Sequence, residues 1–540
     1  MAQPFAETIF ENGNIWTGDP DRPWATAMAV FGERIVKIGT AEDVRPFSGP
    51  ATRHVDLEGR LVLPGFNDAH VHFMSGGFHL LGINLRKARN RQEFRQIMKD
   101  YAADLPKGRW ITGGGWDHEA WPEKTWPTKE LIDDVTPENP VLVSRLDGHI
   151  ALANSLALKL AGITRETPDP FGGTIVRDPE TGEPTGILID NAADLVYRVI
   201  PPPGEEERLE AARAAQEHAL SLGVTSIQDI MASAEDFRTY QTLYQSGELR
   251  VRLYVFFPIS RRTELARLGI MQAFGNDWLR IGGVKVMADG SMGAGSALFY
   301  EPYADDSTTS GLALQPKEEL VRMVIEADSA GLQVALHAIG DKANTWALDA
   351  FAEAIRVNGA RERRHRIEHA QVVLPRDLPR FKELNVIASI EPSHCIDDMR
   401  WAEKRIGKER AKYAYMWRSF VDHGARIAFG TDWTVEPLDP MLGLYAAVTR
   451  EFPEGGPPGG WNSQEKITLE EAIRFYTLGS AYAEFADTEK GTLTEGKLAD
   501  FVVLDRNIFA RPVQEILQTK IEMTIVGGKI MYSRGNPTNK

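Results

Sequence analysis

Short apolar runs alternate with amphipathic, helix-like stretches along the middle of the chain. One run ends in the segment "LVLPGFNDAHVHF", and the others lie at 223–230, 250–257, 281–290, 332–341, 365–370, 385–394 and 425–433. Between two of them, "KEELVRMVIEADSAG" has the apolar spacing of a helix that packs on one face. Strands that alternate with helices favour a parallel sheet, and eight such units predict an α/β fold with a closed (β/α)8 barrel.

The two ends of the chain have a different pattern, with short β-type runs separated by glycine turns. The segments "TAMAVFGERIVKIG", "GTLTEGKLADFVVLD" and "IEMTIVGGKIMYSRG" all follow it. One small sheet built from both ends would account for this pattern. We therefore expect a composite β domain from residues 1–62 and 488–540, and a barrel over residues 63–487.

The interval between the first and second barrel strands is too long for a single helix. From His72 to Gly223 there are about 150 residues, whereas a strand with its crossover helix needs about 30. We expect an insertion over residues 75–205. Because the loops that follow barrel strands face the active-site end, the insertion is predicted to cover the substrate pocket.

Composition excludes several classes of partner. The net charge of −15 argues against nucleic acid or an anionic membrane, since both attract basic surfaces. The single cysteine, Cys395, excludes an intrachain disulfide and a cysteine-rich zinc module. No apolar run of about 18 residues predicts a membrane span, and the N-terminal segment lacks a signal-peptide pattern. The expectations are a small-molecule substrate and a cytoplasmic location.

The candidate chemistry begins with two histidines at the end of an apolar run. Side chains two positions apart point to the same face of a strand, so His70 and His72 converge. His337, His369 and Asp432 also stand where an apolar run gives way to a loop, the position at which barrel enzymes keep their functional groups. A lone pair of histidines is often structural, but imidazoles and a carboxylate at several strand ends predict a divalent-metal site.

Lys285 lies within the fourth apolar run, where a lysine that points into a barrel is costly unless it is paired or neutralised. Three interpretations stay open. Lys285 could form a buried salt bridge with Asp289 or Glu368, or it could point outward. It could also react with CO2 to form a carbamate, whose carboxylate would bridge two metal ions. The residues alone do not decide between these interpretations.

Taken together, several segments resemble the amidohydrolase superfamily, and within it the YtcJ-like branch, the amidohydrolase 3 family. They are "LPGFNDAHVHF", "GGWD", "DGHIALANSLAL", "GVKVMADGS", "LHAIGD", "IEHA", "EPSH", "GTDW" and "GTLTEGKLADFVVLD", all within residues 61–505. The resemblance implies a (β/α)8 TIM barrel with a small β-sandwich built from both termini. It also agrees with a large insertion after the first barrel strand.

The resemblance implies that His70, His72 and Asp432 hold one metal ion. The metal would lower the pKa of its bound water, and the resulting hydroxide would attack a scissile carbonyl that the metal polarises. Asp432 would take the proton of that water as general base and return it to the leaving nitrogen as general acid.

A second metal ion would be held by His337 and His369, and carbamylated Lys285 would bridge the two ions. The expected cofactor is Zn2+, with one or two ions per chain, and another divalent metal is compatible with the same ligands. A mononuclear site would remove the need for the carbamate.

Further residues are weaker candidates. His394, in "EPSH", could donate to the substrate carbonyl or its oxyanion. Asp289 could orient Lys285. The remaining candidates for substrate binding lie near the expected pocket, and they are His149, Trp116, Asp117, Trp433 and Asp289 itself. The tryptophans of the insertion have two interpretations, an apolar substrate pocket or the insertion's own core, and we favour the core.

The leading hypothesis is hydrolysis of a C–N bond, amide or N-acyl but not peptide, in a small organic molecule. Hydrolysis of an ester or lactone, or deamination of a heterocycle, is the alternative on the same scaffold. The pair Glu368 and His369 keeps deamination open, since deaminases generally place a glutamate beside a histidine. An inactive regulatory protein would be expected to lack a ligand, and none is missing from this sequence. A homodimer stays open because no segment predicts an interface.

Overall fold

A parallel barrel of eight strands forms the centre of the protein. The computed structural model describes residues 5–145 and 149–535. The barrel strands, in chain order, are Phe66–Val71, Val224–Ile230, Arg252–Pro258, Leu279–Met287, Gln333–Ala338, Arg366–His369, Ile387–Ile390 and Arg426–Phe429. Each strand pairs with the next one in the chain, and a parallel bridge between Val71 and Trp433 joins the last strand to the first. The predicted (β/α)8 barrel is confirmed.

Helices follow most of the barrel strands. They are Ala234–Ser246, Arg262–Arg267, Lys317–Ser329, Asp341–Asn358, Leu378–Glu383, Pro392–Asp398, Ala402–Ala411, Trp417–Asp422, Pro440–Thr449, Leu469–Arg474 and Ser480–Ala483. The helix after the second strand has a capping box at Ser233 and ends at Gly247 in a left-handed conformation, as its sequence favours. Among the described residues, no helix combines the length and the apolar character needed to span a bilayer.

Both ends of the chain build the predicted β-sandwich. One sheet contains Lys529–Ser533, Ile521–Val526, Phe501–Leu504, Leu61–Pro64, Asn14–Trp16 and Trp24–Ala25, and the other contains Arg34–Gly39, Ala27–Phe31, Thr8–Glu11 and Arg53–Asp56. Side chains from the two sheets share one buried core. Phe10 meets Phe501 edge to face across it, with ring centroids 4.9 Å apart. This contact couples residues from opposite ends of the chain.

Residues 75–214 form a compact unit of their own, separate from the unit of residues 1–74 and 215–540. Its sheet has the strands Gly173–Arg177, Pro184–Asp190, Ile150–Ala153, Leu142–Arg145, Gly113–Trp116 and Ile83–Asn84. The helices Arg91–Ala103, Ser155–Leu160 and Asp194–Tyr197 accompany it. The large insertion after the first strand is therefore present. Its predicted bounds, 75–205, and its predicted position over the pocket stay predictions.

Gly283 stands where the fourth and fifth barrel strands approach each other too closely for a side chain. It pairs with Gln333, and a Cβ built on Gly283 would lie 1.9 Å from the Gln333 carbonyl oxygen. We expect Gly283→Ala to lower the free energy of unfolding by about 1–3 kcal/mol, because the strands must separate. Thermal unfolding measures this. The control is Gly293→Ala, whose Cβ would meet only Trp401 at 3.4 Å, and equal stability of both variants would contradict the prediction.

Candidate metal centre

The last barrel strand meets the first through a close backbone contact that places the key side chains together. The amide of Asp432 donates to the carbonyl of His70 at 2.7 Å, and the amide of His72 donates to the carbonyl of Trp433 at 2.8 Å. A Cβ on Gly430 would lie 2.6 Å from the backbone nitrogen of His70. A glycine at this position therefore permits the approach that brings Asp432 beside both histidines.

Two predicted site residues have an uncommon backbone conformation. His369 has a φ of 72° and Asp432 a φ of 56°, in the left-handed region that non-glycine residues seldom adopt. Such strain persists where the surrounding structure enforces it, and it is concentrated at functional sites. In both cases the chain turns sharply at the end of a barrel strand.

The three residues expected to hold the first metal ion do converge. The donor atoms of His70, His72 and Asp432 lie within 4.8 Å of one another. Nε2 of His72 is 3.2 Å from Oδ1 of Asp432, and Nε2 of His70 is 3.6 Å from the same oxygen. Two imidazoles and a carboxylate at this spacing are a donor set that suits Zn2+.

A second group of donors forms around the same carboxylate. His369, His394 and Asp432 also have donor atoms within 4.8 Å of one another. His337 is adjacent, because its ring centroid lies 4.5 Å from that of His369, but its Nε2 is 3.2 Å from the carbonyl oxygen of Gly290. The geometry thus adds His394 to the residues expected around the second ion. Which of them are ligands stays a prediction.

Hydrogen bonds set the orientation of three histidine rings. Nδ1 of His70 donates to Glu368 at 2.6 Å, Nδ1 of His72 donates to the Ile230 carbonyl at 3.0 Å, and Nδ1 of His369 donates to Glu391 at 2.8 Å. Each ring then presents Nε2, with its lone pair, to the shared space. Metal-binding histidines almost always have such a partner on the second nitrogen.

Buried polar atoms at the centre of the cluster have no hydrogen-bond partner among the described residues. These atoms are Oδ1 of Asp432, Nε2 of His394 and Oε1 of Glu391. An unpaired buried donor or acceptor costs free energy, and so such atoms are usually satisfied. A divalent cation would satisfy Oδ1 of Asp432, beside which Nε2 of His70 and of His72 already lie, and the residues present fit one.

Two buried glutamates form hydrogen bonds with the site histidines, and the sequence pattern did not identify them as histidine partners. Glu368 bonds to His70, and Glu391 bonds to His369 and lies 3.4 Å from Nδ1 of His70. Although burial alone would raise the pKa of Glu391, the nearby His369 lowers it to about 2. Glu391 directly follows the seventh strand, so the strand-end rule that identified His337 could have identified it.

A fully buried arginine, Arg366, supports this arrangement from inside the barrel. Its guanidinium donates to both oxygens of Glu368, to the Ser389 hydroxyl at 2.8 Å, and to the Gln228 side chain and the Ala69 carbonyl. Burial would raise the pKa of Glu368, but Arg366 holds it well below its usual range. The carboxylate that orients His70 is therefore kept ionised.

Lys285 points into the barrel, which excludes the outward orientation. It is buried, and its Nζ lies 3.4 Å from Nε2 of His70. Neither predicted salt bridge forms, because within the described chain no carboxylate lies within 4.0 Å of Nζ. Burial lowers the pKa of this amine, which favours its neutral form.

Two candidate residues have other roles in the structure. Asp289 is fully buried, and its carboxylate accepts hydrogen bonds from the amides of Leu298, Ile339 and Gly340. It therefore holds loops together, and its roles in orienting Lys285 and in binding substrate stay predictions. Trp116 is fully buried in the core of residues 75–214, where its indole N–H donates to the Val143 carbonyl. Its burial agrees with the core interpretation, and a contact of Trp116 with substrate stays a prediction.

The other substrate-binding candidates occupy two different units. His149 is exposed and donates from Nδ1 to Asp190 at 2.8 Å, and Asp117 accepts from Arg145 at 3.2 Å. Asp147 and Gly148 of the same motif lie outside the described residues. Trp433 directly follows Asp432 and is almost fully buried against His218, with ring centroids 5.3 Å apart. Their contact with substrate stays a prediction.

The barrel and its donor cluster define a metal-dependent hydrolase. Comparisons with known proteins agree: the model of the amidohydrolase family matches residues 53–532. A crystal structure of an uncharacterized metal-dependent hydrolase from Pyrococcus furiosus superposes with a TM-score of 0.78 at 32% identity, covering 93% of this chain and 99% of that one. This chain belongs to the amidohydrolase family.

Curated relatives align along nearly the whole chain. Protein LONG AFTER FAR-RED 3 of Arabidopsis thaliana is 40% identical over 98% of this chain and 92% of its own length. The YtcJ protein of Bacillus subtilis is 32% identical over 98% of this chain and 100% of its own. An N-substituted formamide deformylase of Arthrobacter pascens is 27% identical, covering 97% and 98%. The resemblance to the YtcJ-like branch is thereby confirmed.

A substitution of Glu391 tests whether the carboxylate that orients His369 also strengthens metal binding. We expect Glu391→Gln to weaken Zn2+ binding by about 10- to 100-fold, because the amide orients His369 without supplying the negative charge. Calorimetric titration of metal-depleted protein measures the affinity. The matched control is Glu383→Gln, at an exposed helix end. Unchanged affinity in Glu391→Gln, with unfolding temperatures alike, would contradict the assigned role.

Proposed function

We propose that the protein hydrolyses an amide or N-acyl C–N bond of a small organic molecule, with a divalent metal ion as cofactor. The observation that carries the proposal is the buried carboxylate of Asp432, whose Oδ1 has no hydrogen-bond partner among the described residues. Its donor atoms lie within 4.8 Å of those of His70 and His72, and also of those of His369 and His394. The similarity to a protein named as a formamide deformylase supports the choice of a C–N bond.

The residues suited to hold the metal are His70, His72, Asp432 and His369, with His337 and His394 adjacent. Imidazole nitrogens and carboxylate oxygens are ligands that Zn2+ accepts readily, and we propose Zn2+, one or two ions per chain. A bound divalent cation supplies Lewis acidity, which polarises a carbonyl and lowers the pKa of water.

Asp432 is the proposed proton carrier. One carboxylate oxygen, Oδ1, has no hydrogen-bond partner among the described residues. Burial would raise the pKa of Asp432, but His70, His72 and His369 hold it well below its usual range, so the carboxylate is ionised and ready to accept a proton from water. The same oxygen can return that proton to the leaving nitrogen as the C–N bond breaks.

His394 is the proposed donor to the substrate. Its Nε2 is buried without a hydrogen-bond partner in the described chain, and it lies 3.9 Å from Oδ2 of Asp432. A protonated Nε2 at this position can donate to the carbonyl oxygen as negative charge develops on it. His394 stands on the helix that directly follows the seventh strand, so its position is set by the barrel.

Lys285 is the proposed site of carbamylation. A neutral lysine amine adds to CO2, the new N–C bond forms and one proton is released, which leaves a carboxylate on the side chain. The burial of Lys285 and its lowered pKa favour the neutral amine that this reaction needs. The carbamate would add one negative charge and two oxygen donors near His70.

The same residues, with a bound metal ion, could also activate water for attack on an ester, a lactone or a heterocyclic C–N bond. We treat these reactions as alternatives in the assay. The substrate is a small molecule in each case. Fold and metal site are shared by enzymes of many specificities, so the choice between them depends on measured turnover.

Asp432→Asn tests the proton carrier. We expect kcat for amide hydrolysis to fall by about 10²- to 10⁴-fold, because asparagine cannot accept the proton, while metal content at saturating Zn2+ is retained. Release of amine from amides, of alcohol from esters and of ammonia from heterocyclic amines measures turnover over the panel, and elemental mass spectrometry measures metal. Asp422→Asn, at an exposed helix end, is the control. Full activity of Asp432→Asn would overturn the proposal.

Lys285 can be tested with labelled bicarbonate. Protein prepared with Zn2+ and ¹³C-bicarbonate is expected to show a carbamate carbon signal by NMR and about two metal ions per chain, since the added carboxylate offsets the second cation. Lys285→Met should lose the signal and retain about one ion. Two ions per chain in Lys285→Met would show that no carbamate is needed.

A further inference from the structure

Exposed apolar side chains lie next to the metal-site residues of the barrel. They belong to Met231, Met287, Leu314 and Val435 and are 36–67% exposed. Most exposed apolar residues in proteins are scattered and need no explanation. These four all lie in or beside the segments that follow barrel strands, where barrel enzymes bind their substrates.

Met287 has a position defined by the strand itself. It is two residues from Lys285 on the fourth barrel strand, so both side chains point to the same face. Because Lys285 is buried inside the barrel, Met287 lies one layer above it, at the mouth. Met287 is also paired in register with His337.

Hydrogen bonds that involve the backbone connect the segments of the other three residues to the site. The amide of Val435 donates to the Asp432 carbonyl at 2.7 Å, and the amide of Leu314 donates to the Ala288 carbonyl at 3.0 Å, directly after Met287. Met231 follows Ile230, whose carbonyl accepts from His72. Val435 is thus held beside Asp432, Met231 directly follows the residue that His72 contacts, and Leu314 is held beside the end of the fourth strand.

The segments that carry these side chains have no positive charge. Residues 231–233, 288–316 and 430–439 contain no lysine or arginine, but they contain several acidic residues. Two arginines of the segment that follows the seventh strand are engaged in ion pairs. Arg405 pairs with Asp305 at 3.0 Å, and Arg400 pairs with Glu454 at 2.9 Å. A carboxylate on the substrate would find no counter-charge on these segments.

Glu436 lies four residues after Asp432, in the segment 430–439. It is half-buried, and no hydrogen bond or ion pair joins it to another described residue. Its burial and the nearby Asp397, Asp398 and Asp432 raise its pKa to about 7. Burial is the larger cause of this shift, and the three aspartates add to it. Like charges disfavour one another, so the aspartates also disfavour a further carboxylate placed beside them.

We propose that the substrate is a neutral amide whose non-polar substituent packs against Met231, Met287, Leu314 and Val435, and that amides carrying a carboxylate are rejected. This inference rests on the proposed function, which leaves the substituent of the amide unspecified. It separates neutral N-alkyl amides from N-acyl amino acids, two classes that offer the same scissile bond.

A matched pair of probes tests the inference. N-formyl-L-leucine and N-isopentylformamide differ only in the carboxylate. With Zn2+-loaded protein prepared in bicarbonate, we expect kcat/KM to be at least about tenfold higher for the neutral amide. Calorimetry with both probes should show the same order of affinity. N-(2-hydroxyethyl)formamide is expected to be poorer than the isopentyl compound, because its substituent cannot use the apolar rim.

Val435→Arg provides the variant, since its exposed side chain tolerates replacement. We expect the preference to shift by at least about tenfold toward N-formyl-L-leucine. Leu268→Arg is the control and should keep the wild-type preference. Leu268 is 74% exposed at the end of a barrel helix, and so it lies at the opposite end of the barrel from the strand ends.

The outcomes separate the inference from the proposed function. Turnover of both probes with N-formyl-L-leucine preferred would overturn the inference and retain the function. Preferential binding of the neutral amide without turnover of any amide would support the inference on binding alone and overturn the function. Equal kcat/KM for the two probes, no binding of either, or an unchanged preference in Val435→Arg would overturn the inference.

Discussion

The balance of buried charge at the carboxyl end of the barrel governs the rest of the site. Arg366, Glu368, Glu391 and Asp432 are all buried there, where an uncompensated charge is strongly unfavourable. Arg366 compensates Glu368 through two hydrogen bonds. The carboxylates of Glu391 and Asp432 then remain, with one negative charge each. One divalent cation would balance these two charges when the histidines are neutral. A second cation needs further negative charge, which is what a carbamate on Lys285 would add.

Compensation by a cation also explains why the histidines are held so firmly. A proton and a metal ion compete for the same Nε2 lone pairs. Glu391 raises the pKa of His369 against the opposing effect of burial, so this ring binds a cation of either kind more strongly. The hydrogen bond from Nδ1 leaves the ring a single orientation. The loss of side-chain entropy therefore occurs when the protein folds, and it does not weaken the later binding of a cation.

Much of the fold and part of the site could be predicted from the sequence because both depend on short-range pattern. His70 and His72 are related by strand alternation, and His337, His369 and Asp432 by their place at strand ends. Glu391 also stands directly after a barrel strand, but in its segment only His394 was considered as a candidate. The partnership of Arg366 with Gln228 joins residues far apart in sequence, as does the packing of Trp116 on Val143. Such contacts have no local signal.

Different contacts hold the metal-site residues and the exposed apolar residues at the mouth of the barrel (Met231, Met287, Leu314 and Val435). This difference matters for substrate specificity. The metal-site residues are fixed by strand ends, close glycines and buried ion pairs, so changing one disturbs the charge balance. Leu314 and Val435 are held through main-chain hydrogen bonds, and Met231 directly follows the second barrel strand, while all three side chains stay exposed. Substituting these side chains leaves the backbone contacts and the buried charges intact. A substrate preference set by these side chains would be separable from the buried donor cluster, consistent with one fold hosting many specificities.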